Sequence, residues 1–165
     1  MNTILVTTSR GLDELLKQEV LTLCPEAQIK QAPGMLQFEG SKEDAYKLCL
    51  WSRLANRVIR VLASGKANNA ESLYDTAMTV DWQMQMDSRH TLSVQFVGTN
   101  FAIKNTQFGA VRIKDAIVDT FVEEGLARPS VERRHPDISV YARLQRDNVI
   151  IGIDLAGASL HQRAY

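Results

Sequence analysis

An α+β chain in two parts is the fold class this sequence predicts, on three observations. Over residues 1–66 the apolar pattern switches between strand and helix periods in the order strand, helix, strand, strand, helix, strand. A polar stretch, Gly65-Lys66-Ala67-Asn68-Asn69, then interrupts the pattern. Beyond it lies the longest amphipathic helix of the chain, with strands on either side. The first order is the split βαβ arrangement of ferredoxin-like domains, in which two helices cover one face of an antiparallel sheet.

Each element has its own signal. Ile4 to Thr7 reads as a short buried strand, and Leu12, Leu15, Leu16, Val20 and Leu23 recur at helical spacing until Pro25 forbids continuation. Gln28 to Ala32 and Met35 to Glu39 form a hairpin around Pro33-Gly34. Ser41 and Asp44 have capping-box spacing for a helix through about Trp51, and Arg57 to Ser64 follows as a strand. With the boundary at Gly65 to Asn69, the second part begins near Ala70.

Glu71 to Thr79 suits a helix and Thr91 to Gly98 a strand with alternating Leu92, Val94 and Phe96. Asn105 to Glu124 is the long helix, stopped by Gly125. Its stripe of Ala110, Ile113, Ile117 and Phe121, flanked by Val111, Val118 and Val122, is assigned to the sheet, and Arg112, Asp115, Asp119 and Glu123 to the opposite side. Two strands end the pattern: Ile138 to Leu144, then a turn at Arg146-Asp147-Asn148, then Val149 to Ile153, apolar enough for burial on both faces.

Composition bounds the function classes. The chain has 165 residues, is 45% hydrophobic and carries a formal net charge of zero. It holds no apolar run near the roughly 18 residues of a membrane span and no cationic signal region at its start, so a cytoplasmic location is the expectation. Cys24 and Cys49 stand apart from any Cys/His cluster and read as reduced core thiols, so no metal is expected. His90, His135 and His161 lack partners at motif spacing, and nucleotide-binding loops are missing, so no catalytic residue is assigned.

The charge is zero in sum but uneven along the chain. Arg53, Arg57, Arg60 and Lys66 occur without an acid between Trp51 and Lys66, whereas the next thirty or so residues are net acidic. Lys104, Asn105, Thr106 and Gln107 surround the start of the long helix, where free backbone N–H groups and the helix dipole favour an anion, with Gly109 allowing close backbone approach. Asn105 or Thr106 equally serves as an ordinary N-cap, and the two roles are compatible. Lys114 falls in the apolar sector beside Gln107, so its stem should follow the core edge and its ammonium emerge near the helix start.

Arg112 either pairs with Asp115 at i,i+3 spacing or contacts RNA. Arg128, Arg133, Arg134 and His135 lie in a Pro-bounded loop and either form a second cationic edge or are ordinary exposed loop residues. Arg53 and Arg57, at i,i+4 spacing, either share a helix end on that surface or pair with acids of the acidic stretch. Phe108 reads as a packing residue rather than a base-stacking platform.

Asn105-Thr106-Gln107-Phe108-Gly109-Ala110-Val111-Arg112-Ile113-Lys114-Asp115-Ala116-Ile117-Val118-Asp119 resembles the signature helix of THUMP domains. Ser9-Arg10-Gly11-Leu12, Trp51-Ser52-Arg53-Leu54-Ala55, Arg128-Pro129, Pro136-Asp137-Ile138 and Asp154-Leu155-Ala156-Gly157 resemble, in the same order, the start of the RlmL (RlmKL) family of 23S ribosomal RNA guanine-N2 methyltransferases, formerly described as adenine-specific DNA methylases. Ser130, the doubled Arg133-Arg134 and Ala164 depart from the commoner pattern.

The resemblance implies an N-terminal ferredoxin-like domain over 1–66, an α/β THUMP domain over 67–155, and in 156–165 the start of a connection to a methyltransferase domain absent from the sequence. It implies a non-catalytic module that positions structured RNA, 23S ribosomal RNA, for that domain, which would bind S-adenosylmethionine; this chain itself is expected to hold no cofactor. The residues expected at the RNA are Lys104, Asn105, Gln107, Arg112, Lys114, Arg128, Arg133 and Arg134. The alternatives are a THUMP module of a tRNA methyltransferase or thiouridine synthetase, and a ferredoxin-like protein-interaction or regulatory domain.

Overall fold

A computed structural model describes residues 2–155. The connection expected over 156–165, with Ala164 and His161, lies outside the described residues. Among those described, 2–61 with 154–155 form one compact unit and Leu62–Ile153 a second.

The first unit runs β1 (Asn2–Thr7), α1 (Asp13–Leu23), β2 (Lys30–Ala32), β3 (Met35–Gly40), α2 (Lys42–Trp51) and β4 (Arg57–Lys66), whose last residues pass into the second unit. Its strands lie in the order β2-β3-β1-β4, every pair antiparallel, which is the ferredoxin-like order. The β2–β3 turn needs Gly34, whose φ of 75° disfavours other residues. The Ser41/Asp44 capping box forms, each side chain taking the other's backbone N–H at 3.1 Å.

One face of this sheet carries the core. Ile4, Val6, Leu36, Phe38 and Val58 pack with Leu16 and Val20 of α1 and Leu48 of α2, all almost fully buried. Leu15 does not join them. It is more than half exposed, because Leu16 and Val20 already fill the narrow stripe that an eleven-residue helix presents. Arg57 sits on β4, not on a helix end shared with Arg53, and pairs with Asp154 at 2.7 Å with the carboxylate buried.

The carboxylate of Glu19 holds the turn after α2, accepting from the Ser52 hydroxyl and the backbone N–H groups of Arg53 and Leu54. Both cysteines are buried thiols, and neither is in a disulfide among the described residues. Burial, reinforced by the Asp44 carboxylate, pushes the Cys24 thiol up to about 11, which keeps it protonated and unreactive.

The second unit continues through α3 (Ala70–Met78), a 3₁₀ turn at Trp82–Met84, β5 (Thr91–Val97), α4 (Thr106–Glu123), β6 (Ser130–Val131), β7 (Ile138–Gln145) and β8 (Asn148–Asp154). Four of its strands lie in the order β8-β7-β5-β6. β5 is parallel to β7 and to β6, as the α4 crossover requires, while β7 and β8 form an antiparallel hairpin through Arg146 at φ 55°. The 3₁₀ turn and β6 carry no sequence signal, being only three and two residues long. Trp82 is fully buried and donates its indole N–H to Ala77 O at 2.9 Å, so it closes this core without an unpaired donor.

Candidate nucleic-acid interface

The loop between β5 and α4 is built before it is decorated. Gly98, at φ 100°, brings its backbone so near Leu144 O that a Cβ would sit 2.2 Å away. The Asn100 side chain then accepts from the N–H groups of Ala102 and Ile103 and donates to Ala67 O and Arg146 O, each bond between 2.7 and 3.1 Å. Ile103 is wholly buried as the loop's anchor, while Phe101 is 93% exposed. The Lys104 ammonium lies 5.8 Å from the centre of the Phe101 ring.

Asn105 is the N-cap of α4, its side-chain oxygen accepting from the Phe108 N–H at 2.7 Å. α1, α2 and α3 each carry an acidic residue in the first turn, whereas α4 carries none. Its positive end is therefore not neutralised by a carboxylate of its own. Phe108, expected to pack, is 40% exposed.

Gly109 plays a different part from the close ligand approach expected of it. It is buried against the sheet, and a Cβ there would lie 2.6 Å from the Phe96 ring, so the glycine sets how closely α4 approaches β5. On another side of α4, Gln107 and Lys114 line a groove of about 370 Å³ with Leu92 to Gln95 of β5, Val131 of β6 and Arg133. Among the described residues no carboxylate lines it. β6 pairs only with Thr91 and Leu92, and Glu132 N–H donates to Leu92 O at 2.9 Å. By the two-residue period of a strand, Val94 turns its backbone to that same edge beyond the reach of β6.

The candidates thus divide. Gln107, Lys114 and Arg133 meet at one groove, and Lys104 and Asn105 stand at the start of the helix that forms one of its walls. Arg128 and Arg134 are exposed and outside the groove's lining, with the Arg134 backbone N–H donating to Glu132 at 2.9 Å. Arg112 points elsewhere. Its guanidinium lies 4.6 Å over the Tyr74 ring of α3 and 3.4 Å from Asp115, and its Nε is buried with no hydrogen-bond partner among the described residues. The side of α4 assigned to solvent therefore packs in part on α3, where the Tyr74 hydroxyl also donates to Asp119 at 2.5 Å.

The exposure of Phe101 and the open edge of β5 were not legible in the sequence. An apolar residue between polar ones gives no hint of its exposure, and an edge strand is known only once its neighbours are placed. Among the described residues no three His, Cys, Asp or Glu side chains gather as metal ligands. No helix among them is long and apolar enough to cross a membrane.

The family model for the THUMP domain matches residues 67–154, and that for the RlmL ferredoxin-like domain matches residues 3–59. The chain is 88% identical over 165 residues to a ribosomal RNA large subunit methyltransferase K/L of Alteromonas mediterranea, and 49% identical over 161 residues to that of Pseudoalteromonas atlantica. These matches cover 100% and 98% of this chain but 24% and 23% of the relatives, so the chain spans about a quarter of their length. The solved structure of a possible methylase from Clostridium difficile 630 superposes with a TM-score of 0.82 at 19% identity, covering 95% of this chain and 42% of that one, and shares the fold. Residues 3–59 form an RlmL-type ferredoxin-like domain, and through residues 67–154 the chain belongs to the THUMP domain family.

Proposed function

We propose that this chain is the RNA-positioning module of a large-subunit ribosomal RNA methyltransferase, working in the cytoplasm and presenting 23S RNA to a guanine-N2 methyltransferase domain carried elsewhere in the full protein. The observation that supports it best is the convergence of Gln107, Lys114 and Arg133 on a groove with no carboxylate in its lining, beside a helix start with no acid in its first turn. Cations and amide groups without acids suit phosphate oxygens and sugar hydroxyls, which fix register on RNA without reading its sequence. Lys104, Asn105, Arg128 and Arg134 would extend this surface; Arg112 would reach it only by leaving Tyr74.

S-adenosylmethionine would supply the methyl group and bind outside these residues. Its ribose hydroxyls call for an acidic side chain, which the groove lacks. The names of the relatives point the same way, since they are ribosomal RNA methyltransferases about four times the length of this chain.

A salt titration with a structured fragment of large-subunit ribosomal RNA tests the reading. Affinity should fall with salt by about 0.7 to 0.9 log units per decade for each phosphate neutralised. Lys114→Ala and Arg133→Ala should each remove about one such increment from the slope. Salt-independent binding, or none at low salt, would sink the proposal.

A further inference from the structure

The geometry points to Phe101 as a stacking platform for an unpaired base, a binding role that rests on the RNA reading above. Single exposed apolar side chains are ordinary on a protein surface and need a reason only when something else singles them out. Here two independent features do so. The loop that carries Phe101 is fixed, because Asn100 makes four side-chain hydrogen bonds beneath it and Ile103 is wholly buried beside it. The backbone that carries this 93% exposed ring is already ordered, so a base stacking on it has no loop to order.

The second feature is Lys104. Its ammonium is 5.8 Å from the ring centre, within cation–π range, so the ring has a cation close by and ample exposed surface for another planar group. A nucleotide supplies what this pair selects: a flat π-surface for the ring and, one sugar away, a phosphate for the ammonium. Every base has a π-face, so the contact favours unpaired over paired RNA without choosing a sequence. A fully paired helix offers its phosphates but not its base faces.

Binding of the full 165-residue chain is measured on two probes, an unstructured oligouridylate and a blunt RNA duplex with the same number of phosphates. Phe101→Ala should weaken the oligouridylate roughly five- to a hundredfold and leave the duplex unchanged. Phe101→Leu, which keeps an apolar side chain but no π-face, should lose about as much, and Phe101→Trp should retain binding and show indole quenching when oligouridylate is added. Because the side chain is exposed, all three variants should melt with the wild type.

Equal oligouridylate affinity for wild type, Phe101→Ala and Phe101→Leu, with salt-dependent binding intact, would overturn the platform while leaving the RNA reading standing. Equal losses on oligouridylate and duplex would also overturn it, since they would assign Phe101 to backbone contact or loop shape. Failure of the wild type to bind either probe would remove both readings together.

Discussion

The guanidinium of Arg112 lies 4.6 Å over the ring of Tyr74, so a cation on the signature helix is used to join α4 to α3. Its NH1 is 3.4 Å from Asp115, and the Tyr74 hydroxyl reaches Asp119, the next acid one turn along α4. One aromatic ring thus faces a cation while its hydroxyl donates to an anion, both on the same neighbouring helix.

Arg112→Ala should therefore act on stability before it acts on binding. Loss of the cation–π contact and of the stem's packing should cost about 1–2 kcal/mol in denaturant unfolding, with the salt slope of RNA binding unchanged. A slope reduced by a full increment at unaltered stability would instead assign Arg112 to a phosphate.

Tyr74 gives this contact a pH dependence. The hydrogen bond to Asp119, then burial and the Asp119 charge, push the phenol from 10.0 up to about 12, with Arg112 acting in the opposite direction. A folded value above the unfolded one means the stabilisation is complete below about 10 and is lost as pH rises through about 12. The stability advantage of the wild type over Tyr74→Phe should shrink across that interval, which unfolding at matched pH values measures. A constant difference would mean that Tyr74 titrates normally.

Gly109→Ala should destabilise although alanine is the better helix former. The propensity gain is about 1 kcal/mol, but the new Cβ would stand 2.6 Å from the buried Phe96 ring and force apart α4 and β5. A net loss of about 1–3 kcal/mol is expected, and Phe96→Leu in the same chain should recover part of it. Thermal unfolding of the single and double variants checks the coupling.

Asn105 separates capping from phosphate contact. Asn105→Ala should cost about 1 kcal/mol because the Phe108 N–H loses its acceptor. Asn105→Asp keeps the acceptor and suits the helix dipole, so stability should hold, while its negative charge should weaken RNA binding if phosphate approaches the helix start. Unchanged affinity in the aspartate variant would confine Asn105 to the cap.

The order of the elements is local information and was readable from the chain. The Ser41 and Asp44 pair, the stripe of Ile113, Ile117 and Phe121, and Gly34 in its hairpin each act through neighbours a few residues away, and the structure forms them. The THUMP helix was legible for the same reason, as one continuous segment. At the candidate interface, Lys114 beside Gln107 followed from helical spacing alone, and the structure adds Arg133 to them.

Distant pairings were not legible. Arg57 meets Asp154 across 97 residues and Tyr74 meets Asp119 across 45, while Gly109 answers to Phe96 on a strand that precedes it. A cation's spacing along one helix says which side it occupies but not whether another helix already stands there, and so Arg112 had two readings. Burial follows the same logic: the chain shows that Phe101 is apolar, but only the pinned loop and the buried Ile103 beside it decide that the ring faces water. Sequence alone determined the longer elements and their order, though not the 3₁₀ turn or β6, because hydrogen bonding and side-chain periodicity are local and need several residues to show; tertiary structure decided which of their charges and rings remain free, because that depends on what the fold brings alongside them.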